Sequence, residues 1–153
     1  MTVKIKDIMC TSPTWLPESA TIQEAAQKML DLDCGFIPVG NGTKIQGIVT
    51  DRDIATRATA KGLAPTTKVI DIITSKVLYC FETDTTADVA RNMADNQVRR
   101  LIVLNNSTDK KLTGIVSVCD IVTANKTEAS TASELIKSVS KSSTTTNGKS
   151  KAA

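Results

Sequence analysis

The chain has 153 residues, a formal net charge of +3 and an apolar share of 41%, enough for one ordinary domain or two very small ones sharing a core. It contains no histidine. That excludes Ser-His-Asp and Cys-His nucleophilic catalysis, the HExxH zinc proteases and every His-ligated metal site.

The charge divides by region. Residues 1–125 hold 14 basic and 14 acidic side chains, whereas the last 28 hold five lysines and two glutamates and carry the whole +3. A basic tail on a neutral body with four aromatics (Trp15, Phe36, Tyr79, Phe81) is a poor match to a nucleic-acid platform. Cys10, Cys34, Cys80 and Cys119 form no CxxC and no close pair, so they read as small apolar residues in a reducing compartment rather than zinc ligands or a disulfide framework.

In chain order, residues 1–6 lack an apolar signal core, and no apolar run approaches a membrane span; a soluble, cytoplasmic protein is expected. Thr21-x-x-Glu24 opens a helix as a capping box, with Ala25, Ala26, Met29 and Leu30 as its stripe. Two short strands follow, Phe36 to Val39 and Ile45 to Val49, joined through Asn41-Gly42. A short helix begins near Arg52, and the Ala- and Thr-rich residues 56–68 read as a linker. Thr85-x-x-Asp88 opens a second amphipathic helix with Val89, Ala90 and Met93. Strands are expected from Leu101 to Leu104 and from Leu112 to Val116, then a helix near Cys119. From Lys126 on, twelve of 28 residues are Ser or Thr. Ala132, Leu135, Ile136 and Val139 suit one face of a short helix, and disorder is expected beyond Lys141.

These elements form an internal repeat. A shift of 64 lays Asp7-Ile8 on Asp71-Ile72, Thr21 on Thr85, Ala26 on Ala90, and Met29 on Met93. After a three-residue insertion at the hairpin, a shift of 67 lays Gly47-Ile48-Val49-Thr50 on Gly114-Ile115-Val116-Ser117 and Asp53-Ile54 on Asp120-Ile121. The order strand, helix, strand, strand, helix thus occurs twice, in units too small to bury a generous core alone. Residues 1–61 form the first repeat, 62–125 the second, and 126–153 the tail.

Two copies of a β-α-β-β-α unit, each ending in Gly-h-h-(Thr/Ser)-x-x-Asp-h with h apolar, resemble a tandem pair of cystathionine-β-synthase (CBS) domains over residues 5 to about 124. The resemblance implies an α+β fold of two repeats packed sheet to sheet, with a flexible C-terminal tail. It also implies clefts between the repeats that bind adenosine-containing ligands: AMP, ADP, ATP or S-adenosylmethionine. Asp53 and Asp120 match the ribose-binding aspartates. Thr50 and Ser117 match hydroxyl positions near ribose and phosphate, and Arg99 and Arg100 match basic positions that reach phosphate; Arg52, inside the first motif where the second has Cys119, offers a further phosphate contact. Ile37, Pro38 and Val49, with Leu101, Ile102 and Val116, match strand positions that wall the adenine.

The chemistry of these residue types agrees with such roles. A carboxylate accepts two hydrogen bonds from a vicinal diol, and a guanidinium forks onto phosphate oxygens. The same Thr50-x-x-Asp53 and Ser117-x-x-Asp120 patterns are also plain helix caps that need no ligand, and the two roles are compatible. The repeats differ where Gly35-Phe36 faces Arg99-Arg100 and where Pro38 faces Ile102, so the two clefts are not equivalent and the Arg99-Arg100 side is favoured for phosphate.

By the same resemblance the chain is a stand-alone, non-catalytic ligand or energy sensor, a symmetric homodimer, and a regulator of a separate partner protein, with no required cofactor. A ligand-free interaction scaffold and nucleic-acid binding through the tail are the competing readings.

Overall fold

The computed structural model describes residues 2–41, 44–124, 133 and 135–137. Its strands and helices run β1 (Cys10–Thr11), α1 (Ile22–Leu32), β2 (Phe36–Gly40), β3 (Ile45–Thr50), α2 (Asp51–Asp53), β4 (Tyr79–Phe81), α3 (Thr86–Asn96), β5 (Arg100–Leu104), β6 (Leu112–Ser117) and α4 (Val118–Ala124). The α+β class and the duplicated order agree with the sequence.

The repeat is legible in the caps. Thr21 and Thr85, 64 residues apart, each accept a hydrogen bond from the backbone N–H three residues on. For Thr21 the box is reciprocal, because Glu24 Oε2 accepts from the Thr21 N–H at 2.7 Å. These bonds hold the Glu24 carboxyl below its ordinary value. At the other end Asp33 and Gln97, again 64 apart, close α1 and α3 in the left-handed region with φ of 49° and 55°.

Two compact units result, and they do not coincide with the two sequence repeats. The first-repeat unit comprises Ser12–Leu78 and Asn106–Thr113; the second-repeat unit comprises Met1–Thr11, Tyr79–Asn105 and the described residues from Gly114 on. The segment that leads into each repeat, residues 2–11 and 62–78, which we call its leader, therefore belongs to the unit built on the other repeat.

In the second-repeat unit β1 pairs antiparallel with β6, Cys10 opposite Ile115 and Thr11 opposite Gly114. The sheet order is β1-β6-β5-β4, with β4 parallel to β5. The single-turn 3₁₀ helix Ile5–Asp7 docks beside it, its Ile5 and Lys6 N–H groups donating to the Asp84 and Glu82 carbonyls at 3.0 Å. Ile5, Val89, Met93, Leu101, Val103, Val116 and Ile121 are buried.

The first-repeat unit repeats the plan with its own leader. The 3₁₀ turn Val69–Asp71 precedes Thr74, which bridges Ile48 of β3 through N–H···O bonds of 2.9 and 3.1 Å. β2 and β3 form a hairpin with Ile37 opposite Val49. Its core joins Leu16, Ile22, Ala25, Met29, Ile37, Val39, Val49, Ala58, Val69 and Ile72.

Of the expected α1 stripe, Ala25 and Met29 are buried with Ile22, whereas Ala26 and Leu30 are exposed. Two further local expectations need correcting. Residues 56–61 are not linker, since α2 continues through a π-helical turn, Ile54–Ala58, and a 3₁₀ turn, Thr59–Lys61, to a left-handed Gly62. Alanine is a strong helix former, and Ala58 is fully buried, so an alanine-rich run here packs rather than links. The opening strand of the first repeat shrinks to one parallel bridge, Leu16 to Val39, where the second has β4. Pro17 follows Leu16 and has no N–H to extend the ladder.

Of the tail positions, Leu135 is buried and Ile136 is half exposed, both helical; Ala132, Val139 and the stretch beyond Lys141 lie outside the described residues.

Candidate functional site

In the second-repeat unit the motif sits where β6 turns into α4. Ser117 ends the strand, and Asp120 Oδ2 accepts from the Ser117 N–H at 2.7 Å and from its hydroxyl at 2.6 Å. The Asp120 N–H donates back to Ser117 Oγ at 3.3 Å. Asp120 is half-buried, and its Oδ1 has no partner among the described residues.

The entry to β5 is tied to the same turn, because the Val118 N–H donates to the Arg99 carbonyl at 3.0 Å. Arg99 and Arg100 thereby stand at the strand ends that carry Ser117. Both are exposed, and neither forms an ion pair among the described residues.

The first-repeat unit builds the same turn from Thr50. Asp53 Oδ2 accepts from the Thr50 N–H at 3.0 Å, and the Asp53 N–H donates to Thr50 Oγ1 at 3.0 Å, a complete capping box. The tie between strands recurs too, with the Asp51 N–H donating to the Gly35 carbonyl at 3.1 Å.

Here the resemblance between the two turns stops. Asp53 is buried at 8% exposure, and its Oδ1 lies 3.5 Å from Arg57 Nε. Arg57 Nη1 donates in turn to the carbonyls of Ile72 and Ile73, each at 3.1 Å. The Asp51 carboxylate overlies Gly35, so that a Cβ at residue 35 would come within 2.6 Å of it. Arg52 is exposed.

The predicted site residues thus fall into two clusters, Ser117 and Asp120 with Arg99 and Arg100, and Thr50 and Asp53 with Arg52. Both predicted caps exist, so each aspartate has a structural duty whether or not a ligand is bound. The residues expected to wall the adenine are in the interior: Ile37 is 1% exposed and Val49, Leu101, Ile102 and Val116 are 0%, with Pro38 buried as well.

Sequence reasoning missed Arg57 and Asp51. Arg57 carries a weak signal, its i+4 spacing from Asp53 with Ala124 at the matching place after Asp120. Asp51 carries none, because its closeness to Gly35 arises from the pairing of β2 with β3. Among the described residues no group of three or more His, Cys, Asp or Glu is arranged to hold a metal, and no helix is long and apolar enough to cross a membrane.

The family model for the CBS domain matches residues 5–59 and again 69–126. The uncharacterized protein YlbB of Bacillus subtilis is 37% identical over 134 residues, covering 86% of this chain and 88% of YlbB. Among solved structures, the CBS domain pair of protein MJ0100, in complex with 5′-methylthioadenosine and S-adenosyl-L-methionine, superposes with a TM-score of 0.72. It is 25% identical, over 81% of this chain and 96% of that one. The CBS domain protein PAE2072 of Pyrobaculum aerophilum, complexed with AMP, gives a TM-score of 0.69 at 26% identity, over 77% of this chain and 89% of that one.

Proposed function

Since this chain belongs to the CBS-domain family, as a tandem pair, we propose that it is a non-catalytic regulatory module that binds an adenosine-containing ligand and reports the occupancy to a partner protein. The favoured site is the second-repeat cluster, with Asp120 on the ribose diol, Ser117 beside it, and Arg99 or Arg100 on phosphate. The observation that carries this reading is that, among the described residues, Asp120 Oδ1 has no partner and stands at the same strand ends as two arginines that form no ion pair. A carboxylate oxygen with open acceptor sites suits a diol, and an unpaired guanidinium suits a phosphate.

The ligands named for MJ0100 and PAE2072 support the adenosine class. Within it, two arginines favour the anionic AMP, ADP and ATP over S-adenosylmethionine, whose sulfonium they repel. Leu101, Ile102 and Val116 are kept as the adenine wall. Because they are covered in this structure, purine contact selects a conformation that exposes them, and such differential affinity is what lets a ligand shift shape. A symmetric homodimer in the cytoplasm, acting on a separate protein, completes the proposal.

The test is thermal unfolding of ligand-stripped protein with adenosine, AMP, ADP, ATP and S-adenosylmethionine. A ligand at 100 times its dissociation constant adds about 2.7 kcal/mol of stability, which a melt resolves. The expected outcome is a saturable shift with an adenine nucleotide that Asp120→Ala abolishes. If none of the five shifts the melt, Ser117-x-x-Asp120 is a helix cap alone and the module is a ligand-free scaffold.

A further inference from the structure

We infer that Arg57 closes the first of the two motif sites and thereby sets how many adenosine ligands one chain takes. The inference rests on the adenosine reading above and concerns the unit that reading leaves aside. Asp53 and Asp120 hold the same place in the same cap, and each uses Oδ2 on the backbone N–H of its capping residue. They differ in the other oxygen, which faces Arg57 Nε at 3.5 Å in Asp53 and has no partner among the described residues in Asp120.

Arg57 is itself anchored. Its Nη1 bonds to the Ile72 and Ile73 carbonyls, both at 3.1 Å, tie the guanidinium to the leader segment that pairs with β3. A neutral diol approaching Asp53 has to displace a charge-assisted contact from a side chain held at two further points. Phosphate meets a second obstacle. Where the second repeat offers Arg99, the first has Gly35 with the Asp51 carboxylate directly over it, so the matching spot is acidic. The shift of 67 lays Ala124 on Arg57, so among the described residues Asp120 has no equivalent plug.

Calorimetric titration of the full chain with AMP counts the sites, and a melt of each variant reports its fold. Wild type is expected to bind one AMP per chain. Arg57→Met, which keeps the aliphatic stem, is expected to bind two, the second being lost in the Arg57→Met/Asp53→Ala double variant. Ala124→Arg, at a half-exposed position, is expected to weaken the wild-type event by about tenfold, as a plug that competes for Asp120 lowers the competent fraction.

Two AMP per wild-type chain overturns the inference and leaves the adenosine reading standing. A folded Arg57→Met that still binds one also overturns it. Should Arg57→Met fail to fold, unchanged affinity in Ala124→Arg overturns it. If wild type binds no AMP while Arg57→Met binds one, the plug stands and the second-repeat assignment falls; no binding by either overturns both.

Discussion

Single side chains decide what each motif turn is able to do. Arg99 and Arg100 are adjacent at the entry to a strand, where neighbouring side chains leave on opposite faces. One of Arg99→Ala and Arg100→Ala is therefore expected to weaken AMP binding by roughly tenfold or more, in line with about 1.5–3 kcal/mol for a hydrogen bond to a charged group, with adenosine affinity unchanged. Equal losses for adenosine and AMP, in parallel titrations, would remove phosphate from the role of these arginines.

Cys80 is a second residue with a measurable signature. Burial, with the Asp84 carboxylate adding to it, pushes its thiol from 9.0 up to about 12. The folded chain therefore keeps this proton where the unfolded chain gives it up. Its contribution to stability is complete below pH 9, where neither state ionises, and is lost progressively as pH rises toward 12. Denaturant titrations from pH 8 to 11 should show stability falling, with a shallower fall in Cys80→Ala. The exposed Cys10 and Cys119 should react with a thiol reagent long before Cys80 does.

At the level of elements, the glycines of the two motifs explain themselves through the leaders that cross them. A Cβ on Gly47 would come 2.6 Å from the Thr74 carbonyl oxygen, and one on Gly114 would come 2.7 Å from that of Cys10. Both neighbours are backbone atoms in strand pairing and have no rotamer with which to give way. Gly47→Ala and Gly114→Ala are each expected to cost about 1–3 kcal/mol, measured as a drop in unfolding free energy. By contrast Thr85→Ala, which removes only a cap, should cost about 1 kcal/mol. The helices, hairpins and caps were legible in the sequence because they depend on spacing within about ten residues. The continuation of α2 through residue 61 was not, since an alanine-rich run reads equally as linker until Ala58 is seen to be buried.

At the level of the whole molecule, the exchange of leaders makes each unit depend on residues far away in the chain. Ile5 is fully buried in the unit that carries Asp120, more than a hundred residues later. Ile5→Ala is expected to destabilise that unit by about 2–5 kcal/mol. Removing residues 2–11 should lower both the melting midpoint and AMP binding, although no deleted residue belongs to the proposed site. A truncated chain that melts and binds like wild type would show that the pairing of β1 with β6 contributes nothing.

The duplication, the α+β order of each repeat, the two capped turns and their family resemblance are legible without any coordinates, because they follow from local spacing, hydrophobic period and capping chemistry. The sequence also indicated that the two motif turns differ, through Gly35-Phe36 against Arg99-Arg100. How they differ emerges from the folded chain. That Arg57 reaches Asp53 and two leader carbonyls, that Asp51 overlies Gly35, and that each leader joins the unit of the other repeat are consequences of long-range pairing. One chain order is compatible with many such pairings, and burial of the leaders and their backbone hydrogen bonds selects among them.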